Sequence, residues 1–360
     1  MISGGGTGGH IYPAVSIAQS LKEILSDVEI LFVGAQGKME MKKVPEAGFE
    51  IVGLWISGLQ RSLSIQNLIF PLKVISSVWK SFSLIRNFKP DAVIGVGGYA
   101  SGPLLYAATK KKLPTLIQEQ NSYAGLTNKL LAKNVQKICV AHEGMERYFP
   151  KEKLVVTGNP VRRTILLPQS QKKEAYDFFN FSENRKTILI VGGSLGARTI
   201  NECILSSYDK LKSSEYQVIW QTGGFYYNEM IERAGVAADN IRMYDFLREM
   251  NYAYAVADVV ISRAGALSIA ELMLTGKTSI LVPSPNVAED HQTINAMALV
   301  ERNAAVLVKD KEANETLIDT AFELLDDEKK KAELSENIKA MAHANAAQDI
   351  ANEIIKMIAA

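Results

Sequence analysis

The most constraining feature of this chain is a repeated alternation of short apolar, β-branched runs with longer stretches of helical character. Runs at residues 29–33, 92–95, 115–118, 137–141 and 154–157 form one set. A second set occupies 187–191, 217–221, 241–244, 259–262, 279–282 and 305–308. Near-continuous apolar strands separated by helices belong to parallel sheets covered on both faces. The predicted fold class is α/β, with two Rossmann-like domains facing each other across a cleft. Ligands are expected at the loops that follow the strands. With 360 residues, 47% of them hydrophobic, the chain can fill two such cores. Gly158, Asn159 and Pro160, then Val161, Arg162, Arg163 and a polar stretch through Asn184, read as the linker, with a hinge at 158–160. The expected division is an N-terminal domain over 1–160, a second over 161–340, and a closing helix over 341–360 that packs back on the first.

Three glycine loops each follow a strand and precede a helix. The first runs Gly4, Gly5, Gly6, Thr7, Gly8, Gly9, His10, and Pro13 suits the start of the helix behind it. Only Met1, Ile2 and Ser3 precede this loop, so either its strand is very short or the sequence begins part-way along it. The second spans 95–103 and the third 192–198. Glycines allow backbone N–H groups to approach an anion closely, and a helix N-terminus adds a favourable dipole. Gly4, Gly6 and Gly9 also satisfy GxGxxG, which raises a dinucleotide-dependent oxidoreductase. That reading needs an acid at the end of the second strand to hold a ribose, and there the strand runs into Gly34, Ala35 and Gln36.

Charge and cysteine content exclude several classes. Basic side chains number 40 against 39 acidic ones, so nothing points to a nucleic-acid partner. Cys139 and Cys203 have no metal-ligand spacing and fall in a predicted strand and helix, so a disulfide framework or structural zinc site is not expected. The opening residues do not have the form of a secretory signal, and no uncharged apolar run reaches spanning length. From Ile51 to Pro90 there is no acidic residue, while Arg61, Lys73, Lys80, Arg86 and Lys89 are basic. Leu68, Leu72, Ile75, Trp79 and Phe82 recur there at helical spacing. Pro71 and the lysines argue against a spanning helix. An apolar stripe rimmed by cations suits an interfacial helix on an anionic membrane surface.

The ordered series GGGTGGHIYPA, GVGGYASGP, QEQNSYAGLTNK, GNPVR, GGSLGAR, SRAGALSIAEL and DHQTINA closely resembles the MurG family, from Ser3 to beyond Ala296. The resemblance implies the GT-B glycosyltransferase fold, with inverting transfer of N-acetylglucosamine from UDP-N-acetylglucosamine. The implied acceptor is undecaprenyl-pyrophosphoryl-N-acetylmuramoyl-pentapeptide, used at the cytoplasmic face of the bacterial membrane. It implies no cofactor and no divalent metal held by an Asp-x-Asp motif. By position, Ser194 and its loop would hold the UDP diphosphate, and the Leu247 backbone would contact uracil. Ala266, Leu267, Ser268, Ile269, Ala270 and Glu271 would cover the nucleotide, with Glu271 accepting from the ribose hydroxyls. Gln292 and Asn121 would bind sugar hydroxyls, Arg162 would contact donor, and Thr7, Gly8 and Gly9 would complete the donor-sugar site.

Without a metal, leaving-group charge falls to N–H groups, the helix dipole and Arg162. His10 suits a general base at neutral pH, and Glu119 is its rival. Closure around the donor would exclude water. Three other readings stay open on the residues: a UDP-N-acetylglucosamine epimerase, the oxidoreductase above, and a non-catalytic scaffold that binds sugar nucleotide.

Overall fold

The computed structural model describes residues 1–58, 65–193, 195–235, 238–287 and 290–359, with the backbone alone at 65–67 and 163. The chain forms two compact units, Met1–Arg162 together with Ala344–Ala360, and Arg163–His343.

The first unit is built on strands β1 (Ile2–Ser3), β2 (Leu31–Ala35), β3 (Glu50–Leu54), β4 (Val93–Gly95), β5 (Thr115–Glu119), β6 (Lys137–Val140) and β7 (Leu154–Val156). They form one parallel sheet in the order β3-β2-β1-β4-β5-β6-β7. Helices α1 (Gly8–Ile24), α2 (Glu40–Glu46), α3 (Ile65–Phe88), α4 (Ser101–Lys110) and α5 (Leu126–Leu131) connect them. Pro13 does not open α1, because the glycines themselves take up the first turn and the helix begins at Gly8. β3 has no counterpart among the expected strands. It is an edge strand that starts on the exposed Glu50.

The second unit repeats the plan. Strands β8 (Thr187–Val191), β9 (Gln217–Gln221), β10 (Ile241–Tyr244), β11 (Val259–Ser262), β12 (Ser279–Leu281) and β13 (Val306–Leu307) lie in the order β10-β9-β8-β11-β12-β13. Its helices are α6 (Lys172–Phe179), α7 (Arg198–Ser206), α8 (Tyr208–Lys212), α9 (Tyr227–Ala234), α10 (Met250–Val256), α11 (Ala266–Thr275), α12 (His291–Val300), α13 (Ala313–Asp326) and α14 (Glu328–Ala340). All five residues of β8 are buried, as continuous apolar strands covered on both faces must be. The last helix, α15 (Ala346–Ala359), returns to the first unit. Its Ile350, Ala351 and Ile354 share a core with Ile11, Ile17 and Phe32.

These are two Rossmann-like domains. In each, strand order reverses at one point, between β1 and β4 and between β8 and β11. The helices leave the sheet there on opposite sides, so the crevice at the strand ends is where such folds bind ligands. The segment 158–160 is not an open linker. Gly158, Asn159 and Pro160 are buried, and Asn159 hydrogen-bonds within the first unit.

Candidate active site

At the first reversal point the loops after β1 and β4 lie one on the other. Gly98 has φ +89°, and a Cβ on it would stand 2.4 Å from the Gly5 carbonyl oxygen. Gly97 lies under the His10 ring, where a Cβ would come within 2.7 Å of the imidazole. The second glycine loop therefore backs the first, and its glycines are required by contact with protein. Thr7 is extended and exposed at the N-cap of α1, and its side chain makes no capping bond. Gly8 and Gly9 form the first turn, so their N–H groups open the helix.

His10 is half-buried. Its Nδ1 lies 3.0 Å from Gln120 Oε1. Burial holds the imidazole below its ordinary range, against the opposing influence of Glu119, the Gln120 bond, the Val96 carbonyl and Glu40. The imidazole is thereby kept neutral at neutral pH, as a general base requires.

Glu119 is placed differently. Its buried carboxylate accepts from Asn121 N at 3.1 Å, Gly125 N at 2.9 Å and Asn128 Nδ2 at 2.9 Å. A carboxylate committed to these donors holds the loop after β5 in place. Asn121, half-buried, also points its amide at Glu119. Arg162 is exposed at the end of the first unit.

Glu40 is the acid absent from the end of β2, reached from elsewhere. Its side chain is fully buried, and its two oxygens accept from Gly6 N at 2.8 Å and Ala35 N at 2.9 Å. It joins the first glycine loop to the end of β2 and fills the space beside Gly5 and Gly34. A dinucleotide would need that space for its ribose. Spacing rules that inspect only the end of the strand miss this residue, since it stands five positions beyond Ala35.

At the second reversal point, α7 and α11 begin beside each other in the sheet order, after β8 and β11. Neither N-cap residue makes a side-chain cap bond, and the N-terminus of a helix such as α7 favours an anion. Asn201 anchors α7, accepting from Trp220 Nε1 at 3.0 Å and donating to Thr222 O at 2.9 Å. Gln221 ties the third glycine loop to the β10 end: its Nε2 donates to Gly193 O, and its Oε1 accepts from Leu247 N at 2.9 Å. That bond fixes the backbone at Leu247, which is buried. Ser194 lies outside the described residues.

On α11, Ala266, Leu267, Ser268, Ala270 and Glu271 are part-exposed, whereas Ile269 is buried in the core and presents no side chain to a ligand. Tyr254 Oη donates to Glu271 Oε2 at 3.1 Å. Gln292 accepts from Ser284 N at 2.9 Å, which shapes the turn before α12. Arg263 bridges the Val282 and Pro283 carbonyls to Asp310. Among the described residues no cluster of three potential metal ligands occurs.

The glycosyltransferase family 28 N-terminal domain matches residues 1–140, and the family 28 C-terminal domain matches residues 187–354. A UDP-N-acetylglucosamine--N-acetylmuramyl-(pentapeptide) pyrophosphoryl-undecaprenol N-acetylglucosamine transferase of Cytophaga hutchinsonii is 55% identical, over 99% of this chain and 96% of its own. The protein of the same name from Parabacteroides distasonis is 53% identical, over 99% and 98%. The chain belongs to the MurG transferases of glycosyltransferase family 28. Among solved structures, Acinetobacter baumannii MurG is 27% identical and superposes with a TM-score of 0.77, over 99% of this chain and 98% of that one. A UDP-GlcNAc 2-epimerase from Neisseria meningitidis shares the fold at 16% identity and a TM-score of 0.68, over 99% and 98%. Fold alone does not separate the epimerase from a family 28 transferase. Near-full-length identity above one half does, and it also sets aside the oxidoreductase.

Proposed function

We propose that this chain moves N-acetylglucosamine from UDP-N-acetylglucosamine to the 4-hydroxyl of undecaprenyl-pyrophosphoryl-N-acetylmuramoyl-pentapeptide, with inversion. The observation that carries the proposal is an oriented, neutral imidazole at the first reversal point, in a chain so similar to transferases named for this reaction. His10 takes the proton of the acceptor hydroxyl. The freed oxygen attacks the anomeric carbon opposite the nucleotide, and the bond from that carbon to UDP breaks with its electron pair on the diphosphate. The uncapped N-terminus of α7, the 192–197 loop with Ser194, and Arg162 stabilise that developing charge. Leu247 meets uracil through its backbone, and α11 from Ala266 to Ala270 lies along the nucleotide. Glu271 accepts from the ribose hydroxyls. Thr7, Gly8, Gly9, Asn121 and Gln292 bind sugar hydroxyls. Glu119 holds the loop that carries Asn121.

A membrane contact through α3 belongs to the same reading. Leu68, Leu72, Ile75 and Trp79 are all more than half exposed, whereas Phe82, expected in the same stripe, packs on the core. Burial of each exposed side chain in lipid contributes about 1.5–3 kcal/mol. By length and composition Leu68–Phe88 is long and apolar enough to cross a membrane, against the expectation drawn from Pro71 and the lysines. Its docking favours an interfacial position. Ser77 Oγ donates to Trp55 O, Lys80 Nζ donates to Gly53 O at 2.8 Å, and Ile85 lies in the core. Arg61 lies outside the described residues. Trp79→Ser with Leu72→Ser is expected to lower binding to anionic vesicles at least tenfold, measured by sedimentation; unchanged binding would remove α3 from the contact.

The central test is transfer of labelled N-acetylglucosamine to a short-chain acceptor analogue with EDTA present. Product should form. His10→Ala should lose about 10²–10⁴ in kcat with donor KM kept. Glu271→Ala should chiefly raise donor KM. Donor binding without transfer to any acceptor would leave the epimerase or the scaffold.

A further inference from the structure

We propose that Gln120 is the positioning residue of His10: a chain of buried amides from Asn159 through Gln118 and Gln120 holds the proton on Nδ1 and leaves the Nε2 lone pair to work. The proposal rests on His10 as the base. It starts from three polar side chains that sequence reading passes over or assigns elsewhere, and it follows from the direction of their hydrogen bonds.

Asn159 Nδ2 donates to the Gln120 carbonyl at 2.9 Å, an atom that can only accept. That fixes the Asn159 amide, so its Oδ1 faces Gln118 and accepts from Nε2 at 3.1 Å. Gln118 then turns its own oxygen toward Gln120, and Gln120 Nε2 donates to it. The same Nε2 donates to the Val96 carbonyl at 2.9 Å, a second acceptor that cannot be reversed. Gln120 is thus pinned from both sides, and its Oε1 is the atom left facing His10 Nδ1. An amide oxygen accepts only, so Nδ1 carries the hydrogen and Nε2 does not. Gln118, Gln120 and Asn159 are each less than a tenth exposed. Reversing any one amide would set donor against donor in a dry site.

The choice of an amide has a consequence for charge. A carboxylate in the Gln120 position would also select this tautomer, but it would favour the imidazolium. Two carboxylates already act on His10, Glu119 from the end of β5 and Glu40 from the start of α2, and both favour the charged ring. The Val96 carbonyl from the loop after β4 acts in the same direction. A third negative charge would leave the ring protonated near neutrality. Gln120 orients the base without that cost.

The test compares pH profiles of kcat and kcat/KM for the full chain, wild type beside Gln120→Glu, Gln120→Leu and His10→Ala. The probes are UDP-N-acetylglucosamine and the short-chain acceptor analogue. Gln120→Glu should move the acid limb of the kcat profile upward by about 1–3 pH units, with turnover recovered on the alkaline side. Gln120→Leu should lower kcat about tenfold or more with donor KM kept. A role confined to packing predicts neither the displaced limb nor the alkaline recovery. If the Gln120→Glu limb stays in place while His10→Ala is inactive, the positioning role is overturned and the base survives. If His10→Ala turns over like wild type, the base assignment itself falls. Nitrogen-15 spectra of histidine-labelled wild type decide without a Gln120 variant. Only four histidines are present, and the His10 signals are those lost in His10→Ala. A protonated Nδ1 with an unprotonated Nε2 supports the proposal, and the opposite tautomer overturns it.

Discussion

Replacing Glu40 by glutamine keeps its volume and removes one of its two acceptor oxygens. In the native fold those oxygens take the Gly6 and Ala35 N–H groups at 2.8 and 2.9 Å, in a side chain with no exposed surface. The glutamine carbonyl can serve one of these donors, and its NH₂ must then face the other. A buried N–H left in that state costs about 1–3 kcal/mol. Rotating the amide only moves the conflict from one N–H to the other, so relaxation cannot remove it. The first glycine loop is the softer side, because Ala35 sits within a parallel ladder. The opening at Gly6 should therefore grow about tenfold to a hundredfold, read as faster amide exchange at Gly6 with β2 core amides unchanged. Thr7 through His10 follow Gly6 directly. A displacement of about 1 Å at a reacting group is worth about 10² in rate, so kcat should fall by tenfold or more. The assay is sugar transfer with both substrates saturating, alongside hydrogen exchange of the same sample. Wild-type exchange at Gly6 and wild-type kcat in Glu40→Gln would mean that neither bond shapes the loop.

Two other perturbations address the second unit. Tyr254→Phe deletes the bond to Glu271 and should raise donor KM about threefold to tenfold while kcat holds, as steady-state kinetics with varied UDP-N-acetylglucosamine would show. Lys277 donates to the Ala257 carbonyl, and burial lowers its pKa from 10.5 to about 8. In that interval the unfolded chain holds more protons than the folded one. Stability should therefore rise with pH from about 8 to 10.5, by about 3 kcal/mol in all. Lys277→Met should lose this rise, as urea unfolding of the two proteins across the interval would measure.

The parts of the fold legible in sequence are those where burial alone dictates residue type. β8 and β9 are covered on both faces, and their apolar runs are visible without any partner. β3 is missed because Glu50 and Ile51 face partly outward and the strand opens the acid-free segment, which draws attention to its charge instead. Pro13 suggests a helix start that the preceding glycines pre-empt. At the first reversal point the sequence displays the glycines, His10, Glu119 and Asn121, but not what holds them. Gln118, Gln120 and Asn159 look like loop residues at strand ends. Their meaning lies in partners up to 110 positions away along the chain, and no local pattern records such pairings. Glu40 is hidden for the same reason, as its partners Gly6 and Ala35 come from a different loop and strand. The second glycine loop reads as a ligand site because glycine permits close approach by any group. Here the group that approaches Gly98 is the Gly5 backbone.

The two units share a strand order, a glycine loop after the first strand and a helix behind it, yet their anion-binding capacity differs for a physical reason. In the first, the carboxylate of Glu40 already occupies Gly6 N and places negative charge beside the loop. A diphosphate there would meet a buried anion and lose one donor. In the second, the group that reaches the corresponding place is Gln221, neutral, and it donates to the Gly193 carbonyl. The N-terminus of α7 has no side-chain cap bond, and Gln221 brings no charge to the β9 end to oppose an anion. That difference of a single charge supports the proposed placement of the acceptor hydroxyl and its base at the unit with Glu40 and of the diphosphate at the unit with Gln221. A Gln221→Glu exchange carries this argument to its limit. It leaves the carbon skeleton in place and sets a carboxylate against the Gly193 carbonyl. Donor affinity should fall by more than the tenfold expected of one lost hydrogen bond, because charge repulsion is added to it. A loss that disappears on lowering the pH, as the carboxyl protonates, would identify the charge as the cause.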